Sequence, residues 1–231
     1  MPRVILPELL DAAPDAEAVG SVHDLVRINR YLGGYSTVRR LFALVVKPGE
    51  SFTVLDVGAA SGDMGAAIRK SFPGARITSL DHKRNHLAQA PFPKLQGDAF
   101  QLPFAPASFD FVFSSLFLHH FDDAAVVSLL RGFGVVARRA VLAIDLDRGP
   151  FAYRFIPATR WLFHWHPITL HDAPVSVQAA FHPHELASLA RAAGLSNPAV
   201  RVHRPWSRLS LIAVSPRVCA VEVGDERGER L

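Results

Sequence analysis

Val54-Leu55-Asp56-Val57-Gly58-Ala59-Ala60-Ser61-Gly62-Asp63-Met64-Gly65 reads as a buried strand that stops at small residues and restarts as a helix. Gly58 and Gly62 carry no Cβ, so the backbone between them can approach a ligand closely. Asp56, near the carboxyl end of the strand, sits where an acid meets a cationic or hydroxylated group. Strand, glycine turn and helix in this order point to a nucleotide-like ligand at the carboxyl edge of a parallel sheet.

Outward from this turn the pattern repeats. Thr53–Val57 is the first strand, with Asp63–Phe72 as its helix; Arg76–Leu80, closed by Asp81, is the second strand, and Leu95-Gln96 a short third. Phe109–Ser114 is the fourth, apolar enough to be buried on both faces. Asp122–Ala137 is a helix with an aspartate at its start, and Arg139–Leu146 is the fifth strand. This alternation predicts an α/β fold with a parallel, doubly wound sheet and right-handed crossovers.

Upstream, Leu25, Ile28 and Leu32 share one helix face; Gly33-Gly34 ends that helix, and Ser36 is placed to cap a second one running through Val46. Lys47-Pro48-Gly49-Glu50 is a turn into the first strand. Downstream, His184–Ala193 is a helix ended by Gly194, and Val200–His203 pairs antiparallel with Leu209–Val214. The expected organisation is a single domain over residues 1–231: an N-terminal helical lid (1–50), a ligand-binding core (52–146), an aromatic and histidine-rich cap segment (149–182), a C-terminal helix and strand pair (183–216), and a frayed tail (222–231).

At 231 residues, with 49% hydrophobic side chains, the chain is long and apolar enough to bury a substantial core. The formal charge of +4 is modest, and no Lys/Arg block with interleaved aromatics appears, which argues against nucleic-acid binding. Cys219 is alone, excluding an internal disulfide. The N-terminal residues lack a signal-peptide h-region and no apolar run reaches membrane-spanning length, so the expectation is a cytoplasmic protein with no membrane span.

Gly-x-x-x-Gly departs from the Gly-x-Gly-x-x-Gly of dinucleotide sites, and three further features follow it in order. Asp81 ends the second strand at the distance suited to both hydroxyls of a ribose. Gln96-Gly97-Asp98-Ala99 with Leu102-Pro103-Phe104 supplies an acceptor and an apolar wall for an exocyclic amine and a purine face. Phe109-Asp110 through Leu118-His119-His120 ends a strand beside the place of a reactive group. With these, the chain resembles the class I S-adenosylmethionine-dependent methyltransferases, closely over Phe52–Leu146 and more loosely to Val214. Ala60 stands where that family commonly has the middle glycine of its first motif.

The resemblance implies a Rossmann-like, seven-stranded sheet, mostly parallel with an antiparallel C-terminal strand, and S-adenosyl-L-methionine as cofactor. It implies that Asp56, Gly58, Ala60 and Gly62 hold the amino-acid end of the cofactor. Asp81, with His82 beside it, takes the ribose; Asp98 and Ala99 take the adenine; Ser114 lines the methyl side.

His119 is a candidate general base, an imidazole able to take a proton from a hydroxyl nucleophile, with His120 the more structural of the pair. His171 is a second candidate, because Asp172 can orient its ring. His164-x-His166 and His182-x-His184 would each share a face on a strand, but no cysteine or carboxylate stands at matching spacing, so no metal is assigned. Tyr153 and Trp161, with Tyr31 as a closing lid, are expected to cover an apolar acceptor together with His119. The reaction expected is O-methylation of a hydroxylated polyketide, quinone or phenolic metabolite. C- or N-methylation, a non-catalytic S-adenosylmethionine-binding regulator, a nicotinamide oxidoreductase and a homodimer stay open.

Overall fold

The computed structural model describes residues 1–84, 86–91 and 93–216; Cys219 and the tail 222–231 lie outside them. Among the described residues the strands are β1 (Phe52–Val57), β2 (Ala75–Asp81), β3 (Lys94–Gln96), β4 (Phe109–Ser115), β5 (Ala137–Leu146), β6 (Ser196–His203) and β7 (Arg208–Val214). They form one seven-stranded sheet in the order β3-β2-β1-β4-β5-β7-β6. β1 to β5 are parallel, while β7 runs antiparallel to both β5 and β6. The sheet is Rossmann-like, and its order reverses beside β1, so the carboxyl ends of β1 and β4 flank the crevice where ligands bind in such folds.

Side-chain alternation along the central strands splits the core in two. Phe52 and Val54 of β1, Phe111 and Phe113 of β4, and Leu142 and Ile144 of β5 face α3 (Gly34–Ala43) and α4 (Asp63–Ser71). Leu55 and Val57, Val112, and Val141 and Ala143 face α5 (Asp123–Val136) and α9 (Pro183–Ala192). Phe42 of α3 anchors the first layer, with its ring 5.7–5.8 Å from those of Phe52, Phe111 and Phe113.

The remaining helices roof the carboxyl edge of the sheet. They are α1 (Leu9–Ala12), α2 (Asp15–Tyr31), α6 (Pro150–Ala158), α7 (Arg160–Phe163) and α8 (Pro167–Ala179). Asp24 of α2 accepts from the His166 amide at the start of α8 (2.7 Å), and Thr169 donates to Ser21 (3.1 Å). The Arg27 guanidinium reaches the Phe163 carbonyl at 2.9 Å. The N-terminal helices and the cap segment are therefore laced together. No helix among the described residues is long and apolar enough to cross a membrane.

Four details differ from the sequence expectation. Ser36 lies inside α3; the N-cap is Gly33, whose φ of +82° only glycine adopts readily, and the helix ends at Ala43. The cap segment is helical, with prolines at 157 and 174 that mask its periodicity. His164 and His166 consequently sit between helices, and His182 and His184 at the start of α9, so neither pair lies on a strand. β6 begins at Ser196 rather than Val200, because Asn197 (φ +48°) makes an irregularity the chain pairs through.

Candidate functional site

A cavity of about 700 Å³ opens between the carboxyl edge of the sheet and the helical roof. Its floor is the turn after β1. Gly58 has φ +69°, and a Cβ there would lie 2.5 Å from the Phe117 ring. Gly62 has φ +71° and packs against Ala90, so it shapes the turn from outside the cavity. Ala60 adopts φ +46°, the conformation that makes glycine common at this point in the motif. Its amide donates to Asp81 Oδ2 at 3.0 Å, while Asp81 Oδ1 accepts from the Lys83 amide at 2.9 Å.

Asp56 is 1% exposed and its Oδ2 has no hydrogen-bond partner. Burial, then the Asp63 and Asp81 charges, push its carboxyl well above the usual carboxylate range, against the Gly65 amide. Asp63 itself, at the head of α4, accepts from Asn29 Nδ2 (3.1 Å) and the Tyr35 hydroxyl (3.2 Å), tying the roof to the turn.

Of the residues singled out by sequence, Asp56, Gly58, Ala60, Asp81, His82, Asp98, Ala99 and His119 all line this one cavity. Ser114 is buried beneath it, and the neighbouring Ser115 faces it instead, with an unpartnered hydroxyl. Tyr31 is 63% exposed and Trp161 78% exposed, both on the outside of the roof; Tyr153 borders a separate shallow hollow with Pro157 and Pro174. Their places are taken by Val22, Leu25 and Ile28 of α2 and by Phe151, Phe155 and Ile156 of α6. The sequence reading chose the aromatics with polar tips, whereas helix rotation turns the purely apolar face inward. His171 also lies off the cavity wall, with its side chain 49% exposed and its Nδ1 2.8 Å from Asp172. The Asp172 carboxylate receives the Leu9 and Leu10 amides, both at 2.9 Å, and so serves to fasten the N-terminal segment.

His119 is 2% exposed and wedged between two carboxylates. Its Nδ1 is 2.6 Å from Asp145 Oδ1, and its Nε2 is 3.6 Å from Glu8 Oε1. Burial opposes the charged ring, but the Asp145 charge and hydrogen bond, with Glu8, outweigh it and raise the His119 pKa to about 10. Reciprocally, Glu8 is buried, yet the nearby His119 and His120 rings and the Ser176 hydroxyl hold its pKa at about 2. Asp145 holds one ring nitrogen and the two carboxylates favour the charged ring, which disfavours the free base the sequence suggested at His119. His120 is the reverse case: burial and then the His119 charge lower its pKa, leaving a neutral ring on the cavity wall.

Glu8, His119 and His120 present ligand atoms within 4.8 Å of one another. The two rings are stacked 4.4 Å apart at 26°, however, so their planes do not meet at bonding distance and one ion cannot lie on both lone pairs.

The residues sequence reasoning passed over are Glu8, Asn29, Asp63, Asp145 and Arg208. A charge inside an otherwise apolar strand was the available signal for Asp145, in Val141-Leu142-Ala143-Ile144-Asp145, and for Arg208, ahead of Leu209.

Fold and cavity together have the layout of the Rossmann-like nucleotide-binding folds. Residues 55–133 match a family described as a methyltransferase domain. The chain is 37% identical over 82 residues to the malonyl-[acyl-carrier protein] O-methyltransferase of Xylella fastidiosa, covering 32% of this chain and 28% of that protein. It is 31% identical over 121 residues to a ubiquinone/menaquinone biosynthesis C-methyltransferase of Desulfotalea psychrophila, covering 48% of each. The matched segments thus span less than half the length of these two relatives. Human N-acetylserotonin methyltransferase in complex with S-adenosylmethionine superposes with a TM-score of 0.65 at 18% identity, over 91% of this chain and 60% of that one. Over residues 55–133 the chain is thus similar to a methyltransferase domain, and its sheet has the fold of a methyltransferase that binds S-adenosylmethionine.

The residues present fit that cofactor. A buried carboxyl oxygen of Asp56 left without a partner and a second acid at the end of β2, both on the wall of one cavity, are what an aminoacyl nucleoside needs of its cradle.

Proposed function

We propose that this protein transfers a methyl group from S-adenosylmethionine to the oxygen of an apolar, hydroxylated small molecule of the phenol, quinol or polyketide type. The observation that carries this reading is the continuity of one cavity. It joins the Asp56–Asp81–Asp98 floor to a chamber walled by Leu25, Ile28, Phe151, Phe155 and Val177. Its volume, about 700 Å³, is within the range of small-molecule sites.

The cofactor, when bound, supplies an electrophilic sulfonium methyl open to in-line attack. Gly58, Asp56 and Asp81 would hold it: Asp56 toward its amino-acid end, and Asp81 accepting from its ribose hydroxyls through lone pairs that the Ala60 and Lys83 amides leave free. The apolar roof would shield the reacting groups from water, so positioning and desolvation would provide most of the acceleration. A phenol or quinol must lose its proton, and His120, neutral and on the wall, is the group placed to take it. The Desulfotalea relative, named for C-methylation, favours a second reading in which the same deprotonated ring attacks through carbon.

Calorimetry with S-adenosylhomocysteine and with NAD tests the donor. The expected result is micromolar binding of the first and none of the second. Asp81→Ala is expected to weaken S-adenosylhomocysteine by about 10- to 100-fold, the worth of lost charge-assisted hydrogen bonds. Unchanged affinity in that variant sinks the ribose assignment, and failure to turn over any hydroxylated ring acceptor favours a binding protein over an enzyme.

A further inference from the structure

The cavity also holds an unsatisfied guanidinium, on a residue outside the cofactor motifs. Arg208 opens β7, is 1% exposed and lines the cavity. Its Nη1 has no hydrogen-bond partner among the described residues, and its Nη2 reaches only the neutral Asn29 Oδ1, at 3.3 Å. The contrast with Arg148, also buried, is direct. That guanidinium is bonded to the Met1 and Ala180 carbonyls and to Glu185, at 2.6–3.0 Å. A buried guanidinium with no anion hydrogen-bonded to it is costly, so packing alone gives no reason for Arg208 to be arginine.

Its neighbours say which end of the cavity it serves. Asn29 bonds Arg208 through its oxygen and Asp63 through its nitrogen, and Asp63 heads the helix that follows the glycine turn. Arg208 feels the Asp145 charge and then that of Asp63, and Asp63 acts on Asp56 as well. The orphaned acid and the orphaned guanidinium therefore belong to one end of one cavity, and together they complement an ammonium and a carboxylate on the same ligand. The planar fork of arginine suits a carboxylate, which it can grip with two parallel N–H groups.

We propose that Arg208 is the carboxylate receptor of the cavity. Two ligands could bring that group, the amino-acid end of the methyl donor or an acid on the acceptor. The link through Asn29 and Asp63 to the glycine turn favours the donor, and that choice rests on the methyl-donor reading above.

The test is calorimetry on the full chain and on Arg208→Met and Arg208→Lys, using S-adenosylhomocysteine, 5′-methylthioadenosine (which lacks the amino acid) and benzoate as probes. Arg208→Met is expected to weaken S-adenosylhomocysteine about 10-fold or more while leaving 5′-methylthioadenosine unchanged, with Arg208→Lys between. If instead S-adenosylhomocysteine is unaffected and benzoate binds the parent but not Arg208→Met, the carboxylate is the acceptor's, and the receptor stands. Equal binding of all three probes by parent and variant overturns the proposal. A structural role is read separately from ligand-free melting. Arg208→Met should melt at or above the parent temperature, and a fall shared by both variants assigns the residue to the fold instead. A parent that binds neither nucleoside refutes the donor reading, and benzoate on the free protein then judges Arg208 alone.

Discussion

At the scale of single residues, the adjacent histidines show how position overrides chemical type. His119 is an imidazolium held between Asp145 and Glu8; His120, stacked on it, is the neutral ring. The sign of the linkage follows from the shifts. His119 is raised from 6.5 to about 10, so its stabilisation is complete below pH 6.5 and is lost as pH rises through about 10. Glu8 is lowered from 4.5 to about 2, so its contribution is present above pH 4.5 and is lost as pH falls through about 2. His119→Ala leaves Asp145 buried without its cation, and roughly 3–5 kcal/mol of stability should go with it. The alkaline decline in stability should disappear in the same variant, as read by urea unfolding at stepped pH. His120→Ala should melt like the parent but lose turnover on phenolic acceptors. The reverse pattern, a stable His119→Ala and an unfolded His120→Ala, contradicts the assignment.

At the scale of elements, the roof is fastened by a few polar pins rather than by a large apolar interface of its own. Asp172 on α8 caps the start of α1 through the Leu9 and Leu10 amides, and Ser176, one turn on, donates to Glu8 at 2.5 Å. Gly20 of α2 lets the two helices cross closely, since a Cβ there would lie 2.5 Å from the His166 ring. Asp172→Ala removes two charge-accepting hydrogen bonds, each worth about 1.5–3 kcal/mol, from the start of α1. The expected outcome is faster proteolytic clipping ahead of residue 13, by about 10-fold or more, with the remainder of the chain melting cooperatively near the parent temperature. An unchanged clipping rate removes Asp172 from this role.

At the scale of the molecule, the stability of the sheet and the chemistry of its edge are separable. Phe133 of α5 is fully buried against the sheet face away from the glycine turn's helix. Phe133→Ala should cost about 3–5 kcal/mol through the cavity it leaves, lowering the melting temperature by roughly 6–20 °C. Affinity for S-adenosylhomocysteine at 25 °C should stay within about twofold, because no cofactor-facing residue moves. A parallel loss of affinity shows that the α5 face and the crevice are coupled.

The sequence by itself determined the fold class, the succession of β1 to β5 along the chain, and the acids that line the cavity floor with Gly58. These are local signals: hydrophobic runs bounded by turn residues, and a motif whose members follow one another along the chain. The cap helices escaped it because Pro157 and Pro174 and a crowd of aromatics obscure their period. Only the tertiary structure decided which way that cap faces, which histidine is charged, and that Arg208 and Asn29, 179 positions apart, meet in one buried place. A side chain's charge state and partners depend on what the fold brings beside it, and no spacing along the chain encodes a neighbour that distant.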